Sequence, residues 1–375
     1  MKNLHIVICS DLEKSNGGCE IWLDYFIREI IKRDFYSEKY VYHVQPSEHR
    51  EAELQTQHVE LTYCSHYNNG IIQVLCFSIV TLINLFRNVK RNDDVVYIGS
   101  TFVAPVGILF SAYQKVFLRK TQMITWIRSI AVQELKVRSP KISHIAKILE
   151  ILMLYLSDKI ILNGKDTFAY YQKQYNVIDK SEVIENAVSN RDIYGVKEID
   201  HNKAVVDIAY MGRYSAAKGF DCYIKSIEMF YAKQHHDVRF HAYGHGPLAN
   251  IVPDNFVVNH GKYYPKDVID ILNDVDVVVF FNKSGIAAGV SHSLLETMAS
   301  GRGIIAWDNH IHNQVCTADM SFLVEEDSLD DLVKLYQFIA AHRSILYSKA
   351  SNARTKSYQY SVDKHVDAFI RFVRG

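Results

Sequence analysis

The chain has no surplus of charge of either sign: 42 Lys and Arg residues stand against 42 Asp and Glu residues. A balanced chain projects no global field toward nucleic acid, so no nucleic-acid partner is expected. Its six cysteines (Cys9, Cys19, Cys64, Cys76, Cys222 and Cys316) contain no C-x-x-C pair. That spacing argues against a zinc knuckle and a disulfide framework. Cys9 falls in a strand-like run and Cys222 in a helix-like one, which suits reduced, buried thiols in a cytoplasmic protein. No low-complexity linker and no long internal repeat is present. The amino terminus runs into the apolar segment LHIVICS without the layout of a signal peptide.

Long hydrophobic runs are scarce as well. The strongest, Ile71 to Phe86, is too short to span a bilayer and is interrupted by Gln73, Ser78, Thr81 and Asn84. Arg87, Lys90 and Arg91 follow at once. It reads as a helix packed on a sheet, with a helix lying partly in a membrane surface as the alternative. Residues 141–156 form a second segment of this kind, so peripheral contact with a membrane surface is the further partner these stretches suggest.

What is present is a regular alternation. Apolar runs at 4–9, 94–98, 123–127, 159–162 and 182–184 are separated by helical stretches. After a polar interval near 190–203 they resume at 205–211, 238–243, 256–259, 276–281 and 303–306. Nearly continuous Val and Ile runs between helices indicate parallel sheets covered on both faces. At 375 residues the chain exceeds one core. The expectation is an α/β protein with Rossmann-like doubly wound domains at 1–190 and 191–358 and a terminal helix at 359–375. Ligands of such sheets bind beyond the carboxyl ends of the strands, so the loops there are where chemistry is sought.

The most informative loop is AGVSHSLLETMASG, residues 288–301. It reads as a glycine-led turn opening a helix, with Ser293 at the N-cap and Glu296 in the first turn. Free amides and the helix dipole suit a phosphate there, and a nearby carboxylate suits the vicinal hydroxyls of a ribose. The plainer alternative is a capping box between Ser293 and Glu296. A second loop, SNGGCE at 15–20, places Gly17 and Gly18 before a helix. A third, GRYSAAKGF at 212–220, follows the run VVDIAYM and holds Gly212, Arg213 and Lys218. Its two cations suit a diphosphate, and solvated surface cations are the alternative. A fourth, YGHGPL at 243–248, imitates a dinucleotide fingerprint through Gly244 and Gly246. Pro247, and the lack of an acidic residue after the next strand, argue against NAD.

These pieces, in this order, resemble the retaining glycosyltransferases of family 4, which have the GT-B fold. GGCE at 17–20, YMGRYSAAKGF at 210–220, AYGHGPL at 242–248 and GVSHSLLETMASG at 289–301 carry the likeness, with VIENAVSN at 183–190 as the interdomain segment. The resemblance implies two domains facing across a cleft, with the terminal helix crossing back. It implies that Arg213 and Lys218 hold the donor diphosphate and that Glu296 binds the ribose. The amides near Ser293, Leu294 and Leu295 would meet the phosphate. Gly17 and Gly18 would close over the donor, while Gly212, Gly244 and Gly246 let backbone approach it.

Two positions depart from the pattern. The family motif has a glutamate eight residues before Glu296, where this chain has Ala288. Where many members carry a histidine after the fifth strand, this chain offers Arg128 as a catalytic candidate. Asp274 and Asp276 have the D-x-D spacing of metal-dependent transferases, yet they fall at an ordinary helix-to-strand junction, and no metal or other cofactor is expected. The resulting expectation is a metal-independent hexosyltransferase. It would take a nucleotide-diphosphate sugar (UDP-linked first, GDP-mannose second) and a glycan or lipid-linked acceptor in bacterial cell-surface polysaccharide synthesis. The alternative is a non-catalytic GT-B subunit of an assembly complex.

Overall fold

A computed structural model describes residues 2–11, 18–44, 59–68, 70–117, 120–176, 178–189, 195–200, 203–233, 237–284 and 289–375. The chain forms two compact units, one made of Met1–Glu185 with His365–Gly375 and the other of Asn186–Lys364.

The first unit is built on a parallel sheet of β1 (Lys2–Asp11), β2 (Tyr36–Val44), β3 (Val59–Cys64), β4 (Asp94–Ile98), β5 (Gln122–Ile127), β6 (Lys159–Leu162) and β7 (Ser181–Val183). Their spatial order is β3-β2-β1-β4-β5-β6-β7, so the order reverses between β1 and β4. Its helices are α1 (Gly18–Ile31), α2 (Gly70–Asn88), α3 (Ala104–Val116), α4 (Ala131–Arg138), α5 (Pro140–Leu156) and α6 (Lys165–Tyr175). β2 and β3 are not among the strand-like runs of the sequence. β2 reads YSEKYVYHV, and its polar letters hide a buried strand. Lys39 is buried yet satisfied, its ammonium donating to the Tyr36 carbonyl at 3.0 Å.

The second unit holds β8 (Val206–Met211), β9 (Val238–Tyr243), β10 (Val257–Gly261), β11 (Val277–Phe280), β12 (Gly303–Asp308) and β13 (Phe322–Glu325). The order is β10-β9-β8-β11-β12-β13, again parallel and again reversing beside its first strand. Helices α7 (Phe220–Ala232), α8 (Val268–Asp274), α9 (His292–Ser300), α10 (Leu329–Ala341) and α11 (Arg343–Ser357) cover it. The edge strand β13 has four residues and no alternation long enough to see in the sequence. Two apolar clusters lie on opposite faces of this sheet: Ile208 and Tyr210 point to one, Ala209 and Met211 to the other.

The last helix, α12 (Val362–Arg374), carries the chain from the second unit's residues into the first. There His365 stacks on Trp126 at 5.4 Å, and Phe369 lies parallel to the same indole at 5.4 Å. Trp22 Nε1 donates to His365 Nε2 at 2.8 Å, and His365 Nδ1 lies 2.7 Å from the Glu185 carbonyl. One imidazole can satisfy both bonds only as the neutral Nδ1–H tautomer.

Candidate active site

In the second unit the strand order reverses between β8 and β11, and the loops leaving these strands hold the expected site residues. The Tyr210 hydroxyl, at the end of β8, lies 2.8 Å from the Arg213 carbonyl and 3.3 Å from the Lys218 carbonyl. One phenol therefore braces both cation-bearing positions. Arg213 is exposed and Lys218 half-buried at the end of a single 3-10 turn, Ala216–Lys218. Behind them, Tyr214 stacks on Phe220 with centroids 4.0 Å apart, which fixes the loop on α7.

The glycine pattern of the next loop has a packing cause. Gly244 and Gly246 lie against the 212–219 loop: a Cβ on Gly244 would fall 1.8 Å from the Gly212 carbonyl oxygen, and one on Gly246 would fall 2.4 Å from that of Tyr214. Gly212 N–H donates to the Tyr243 carbonyl, Tyr214 N–H to His245, and Leu248 N–H to Tyr214. The two loops form one interlocked backbone layer, and side chains are excluded where they cross.

Helix α9 begins two residues earlier than the sequence suggests. Its N-cap is Ser291, whose hydroxyl accepts from the Leu294 N–H at 3.3 Å, so Ser293 lies inside the first turn and makes no capping box with Glu296. Leu295 N–H bonds to the Ser291 carbonyl at 3.4 Å. The amides of Leu294 and Leu295 are thus engaged within the helix. His292 and Ser293 form the first turn of α9, ahead of those two amides. Upstream, Asn186 Nδ2 donates to the Val290 carbonyl at 2.7 Å, which ties the VIENAVSN segment to the entry of α9. Ala288 and Gly17 lie outside the described residues.

Glu296 is buried, with one carboxylate oxygen 3.5 Å from His292 Nε2. It also faces Tyr263: burial pushes the Tyr263 phenol up, and the Glu296 charge pushes it further. The Tyr210 phenol is likewise pushed up, first by burial and then by Tyr263. Sequence reasoning misses Tyr263, because nothing local in HGKYYPKD distinguishes it from a surface aromatic. It also misses the carboxylate of Glu326 beyond β13, which accepts from Ser284 Oγ at 2.7 Å and Asn309 Nδ2 at 2.7 Å. Asn309 Oδ1 holds the amides of Ile311 and His312. His312 is buried and pushed down to about 4, first by desolvation, with the Lys218 charge also lowering it. Asp276 belongs to a structural network: its carboxylate accepts from the Asp207 N–H at 2.9 Å and pairs with Lys203 at 3.5 Å.

In the first unit, a cavity of about 380 Å³ opens where β1 and β4 diverge. Ser10, Glu20, Ser100, Phe102 and Arg128 are among its lining residues. The Arg128 guanidinium lies 3.8 Å from the Trp22 ring centroid, a cation-π arrangement that holds it flat. Burial lowers its pKa, opposed by Cys19 and Glu20. Glu20, in the first turn of α1 after Gly18, accepts from Ser10 Oγ at 2.5 Å. Arg128 therefore presents a fixed cation to the cavity. Asn163 Nδ2 anchors its carbonyl at 2.7 Å.

Two parallel sheets with the same reversal and a terminal helix returning to the first unit define the GT-B architecture. Residues 206–340 match the sequence model of the family described as Glycosyl transferases group 1. The match lies within the second unit, and over those residues the chain is similar to that family. A search of the curated proteins found no match. Among solved structures, sucrose-phosphate synthase (tll1590) from Thermosynechococcus elongatus is similar with a TM-score of 0.79 and 12% identity, over 100% of this chain and 98% of that one. Anabaena Alr3699/HepE, solved with UDP-glucose, gives 0.73 and 13%, over 100% of both chains. The lipopolysaccharide outer core galactosyltransferase WaaB, solved in its apo form, gives 0.69 and 12%, over 100% of this chain and 99% of that one. At these identities the likeness establishes the fold.

Proposed function

We propose that this enzyme is a retaining, metal-independent transferase that moves a hexose from a nucleotide-diphosphate sugar, a UDP-hexose before GDP-mannose. The acceptor is a glycan or lipid-linked intermediate of a bacterial cell-surface polysaccharide, met at the cytoplasmic face of the membrane. The observation that carries the reading is the bracing of Arg213 and Lys218 by one tyrosine hydroxyl at the carboxyl end of β8. Cations preset where a diphosphate leaves stabilise charge that develops only as the glycosidic bond breaks. The start of α9 places the positive end of its dipole toward the phosphate, and Glu296 accepts from ribose hydroxyls. The acceptor oxygen bonds to the anomeric carbon as the phosphate oxygen departs, and the acceptor's proton passes to that departing oxygen, so no separate base is needed. The complex of the Anabaena neighbour with UDP-glucose supports the nucleotide preference.

The test is kinetic. Lys218→Ala and Arg213→Ala each lower kcat by about 10²–10³-fold with a UDP-sugar, while melting temperature stays within a degree or two. UDP raises the melting temperature of the wild type in proportion to its affinity. Wild-type turnover in either variant overturns the diphosphate assignment.

A further inference from the structure

The three helices α2, α3 and α5 of the first unit lie side by side, α3 packing on both of the others. Each has an inner stripe buried on the sheet and an outer stripe that is apolar and exposed. In α2 the inner stripe is Phe77, Thr81 and Leu85, and the outer one is Ile71, Leu75, Ile79 and Ile83 at four-residue spacing. In α5 Ala146 and Met153 face inward, and Ile142, Ile145, Ile148, Leu152 and Tyr155 outward. Ile79, Ile145, Ile148 and Tyr155 are 59%, 61%, 59% and 78% exposed. Leu109 and Val116 continue this surface along α3. A contiguous apolar face of this extent on a folded unit marks an interaction site.

The charges select the occupant. α2 and α3 contain no acidic residue, and the one in α5, Glu150, is buried and holds the hydroxyls of Ser100, Tyr171 and Tyr175. Exposed Arg87, Lys90, Arg91, Lys141 and Lys147 lie on or directly beside these helices. Asp158, just past α5, is paired with Lys115 at 3.7 Å. Apolar stripes flanked by cations fit an anionic lipid surface. Helix α2 runs to 19 residues, beyond the Ile71–Phe86 run read as too short from the sequence. Among the described residues it is therefore long and apolar enough to cross a bilayer, but its inner stripe is committed to the sheet.

We propose that the first unit docks through this three-helix face onto an anionic bilayer, lying in the interface and not spanning it. Phe102, which is exposed, also lines the cavity beside Arg128. Phe102 stands just before the first residue of α3, and on this docking a lipid-borne acceptor reaches the cavity from the membrane side. This last step rests on the transferase reading above; the docking itself does not.

The experiment is co-sedimentation of the full chain with vesicles of phosphatidylcholine alone or with 30% phosphatidylglycerol, a composition chosen to span roughly the physiological range of anionic charge. The wild type binds the anionic vesicles at least tenfold more tightly, and high salt weakens that binding. The double variants Ile79→Glu with Ile148→Glu, and Lys141→Glu with Lys147→Glu, each reduce it at least tenfold. Their UDP-induced thermal shift stays unchanged, which separates failure of docking from failure of the donor site and shows that the variants are folded. Equal binding to both vesicles, no binding to either, or variants that bind like the wild type overturns the proposal. So does self-association of the wild type, abolished by the same substitutions, without vesicle binding.

Discussion

The two units share a topology and differ in how they finish their surfaces. Both sheets reverse beside their first strand. In the second unit, the exposed large apolar side chains among the described residues are scattered: Phe256, Val258, Phe338, Ile345 and Tyr358. In the first unit, whole helical stripes stay bare, and the reversal point holds an open cavity around Arg128. In the second, the corresponding loops are locked together by backbone hydrogen bonds and glycine crossings. The same fold thus gives one unit interlocked loops beside its cations and leaves the other with an open cavity and bare apolar stripes. Doubly wound sheets permit both because ligands are bound by loops, whose sequences the sheet does not dictate.

The sharpest way to break this contrast is to put the same methyl group at a glycine in each unit. Gly244→Ala drives a Cβ into the Gly212 carbonyl at a φ of +146°, so the second unit loses more than about 3 kcal/mol or fails to fold. Gly99→Ala in the cavity wall of the first unit meets nothing within 4 Å and carries only the strain of a φ of +92°, about 1–2 kcal/mol. Calorimetry on both variants decides it. Equal losses would remove the distinction between a locked and an open reversal point.

How much of the molecule is legible in the sequence follows the same division. Strands β4, β8, β11 and β12 announce themselves as Val and Ile runs, because both faces of a parallel sheet are buried. β2 does not, because tyrosine, histidine and a buried lysine stand where apolar letters are expected, and β3, VELTYC, is short and broken by Glu60 and Thr62. The glycine loops are legible as loops, but the reason for Gly244 and Gly246, a crossing with residues some thirty positions earlier, is not. The sequence puts the start of α9 two residues late because Ser291 and Ser293 both precede the leucine pair, and only geometry tells which hydroxyl meets an amide. Tyr263 and Glu326 join the site through tertiary packing alone. The apolar stretches 71–86 and 141–156 are visible, while the side each one buries is not.

A second, somewhat smaller effect tests what holds α12 in the first unit. Phe369 is fully buried, parallel to Trp126 and edge-on to Phe26 at 5.1 Å. Phe369→Ala leaves a cavity there and lowers stability by about 3–4 kcal/mol. The donor-induced thermal shift of the second unit should survive it. If UDP binding disappears together with the first unit's stability, the two units do not act as separable frames.

The smallest effect is a pH dependence confined to the second unit. His312 is neutral when folded because burial holds its pKa near 4, against 6.5 for an ordinary imidazole. The Trp307 carbonyl at 3.2 Å and the Glu326 charge oppose that shift, while Lys218 and His310 add to it. Between these two values the unfolded chain binds a proton that the folded chain refuses, so stability is full above about pH 6.5 and falls as pH drops toward 4. The loss is at most about 3 kcal/mol. Asp207 acts in a different window. Burial raises its pKa, but bonds from His241 and Lys203 outweigh this and bring it below its ordinary 3.8, so its contribution is lost only at more acidic pH. His312→Gln can keep a donor toward the Trp307 carbonyl while removing the titration, so its melting temperature should hold level from pH 6.5 to 4.5 where that of the wild type declines. Parallel declines in the two proteins would show that another group of the second unit carries the acid sensitivity and that the Lys218 loop does not feel His312.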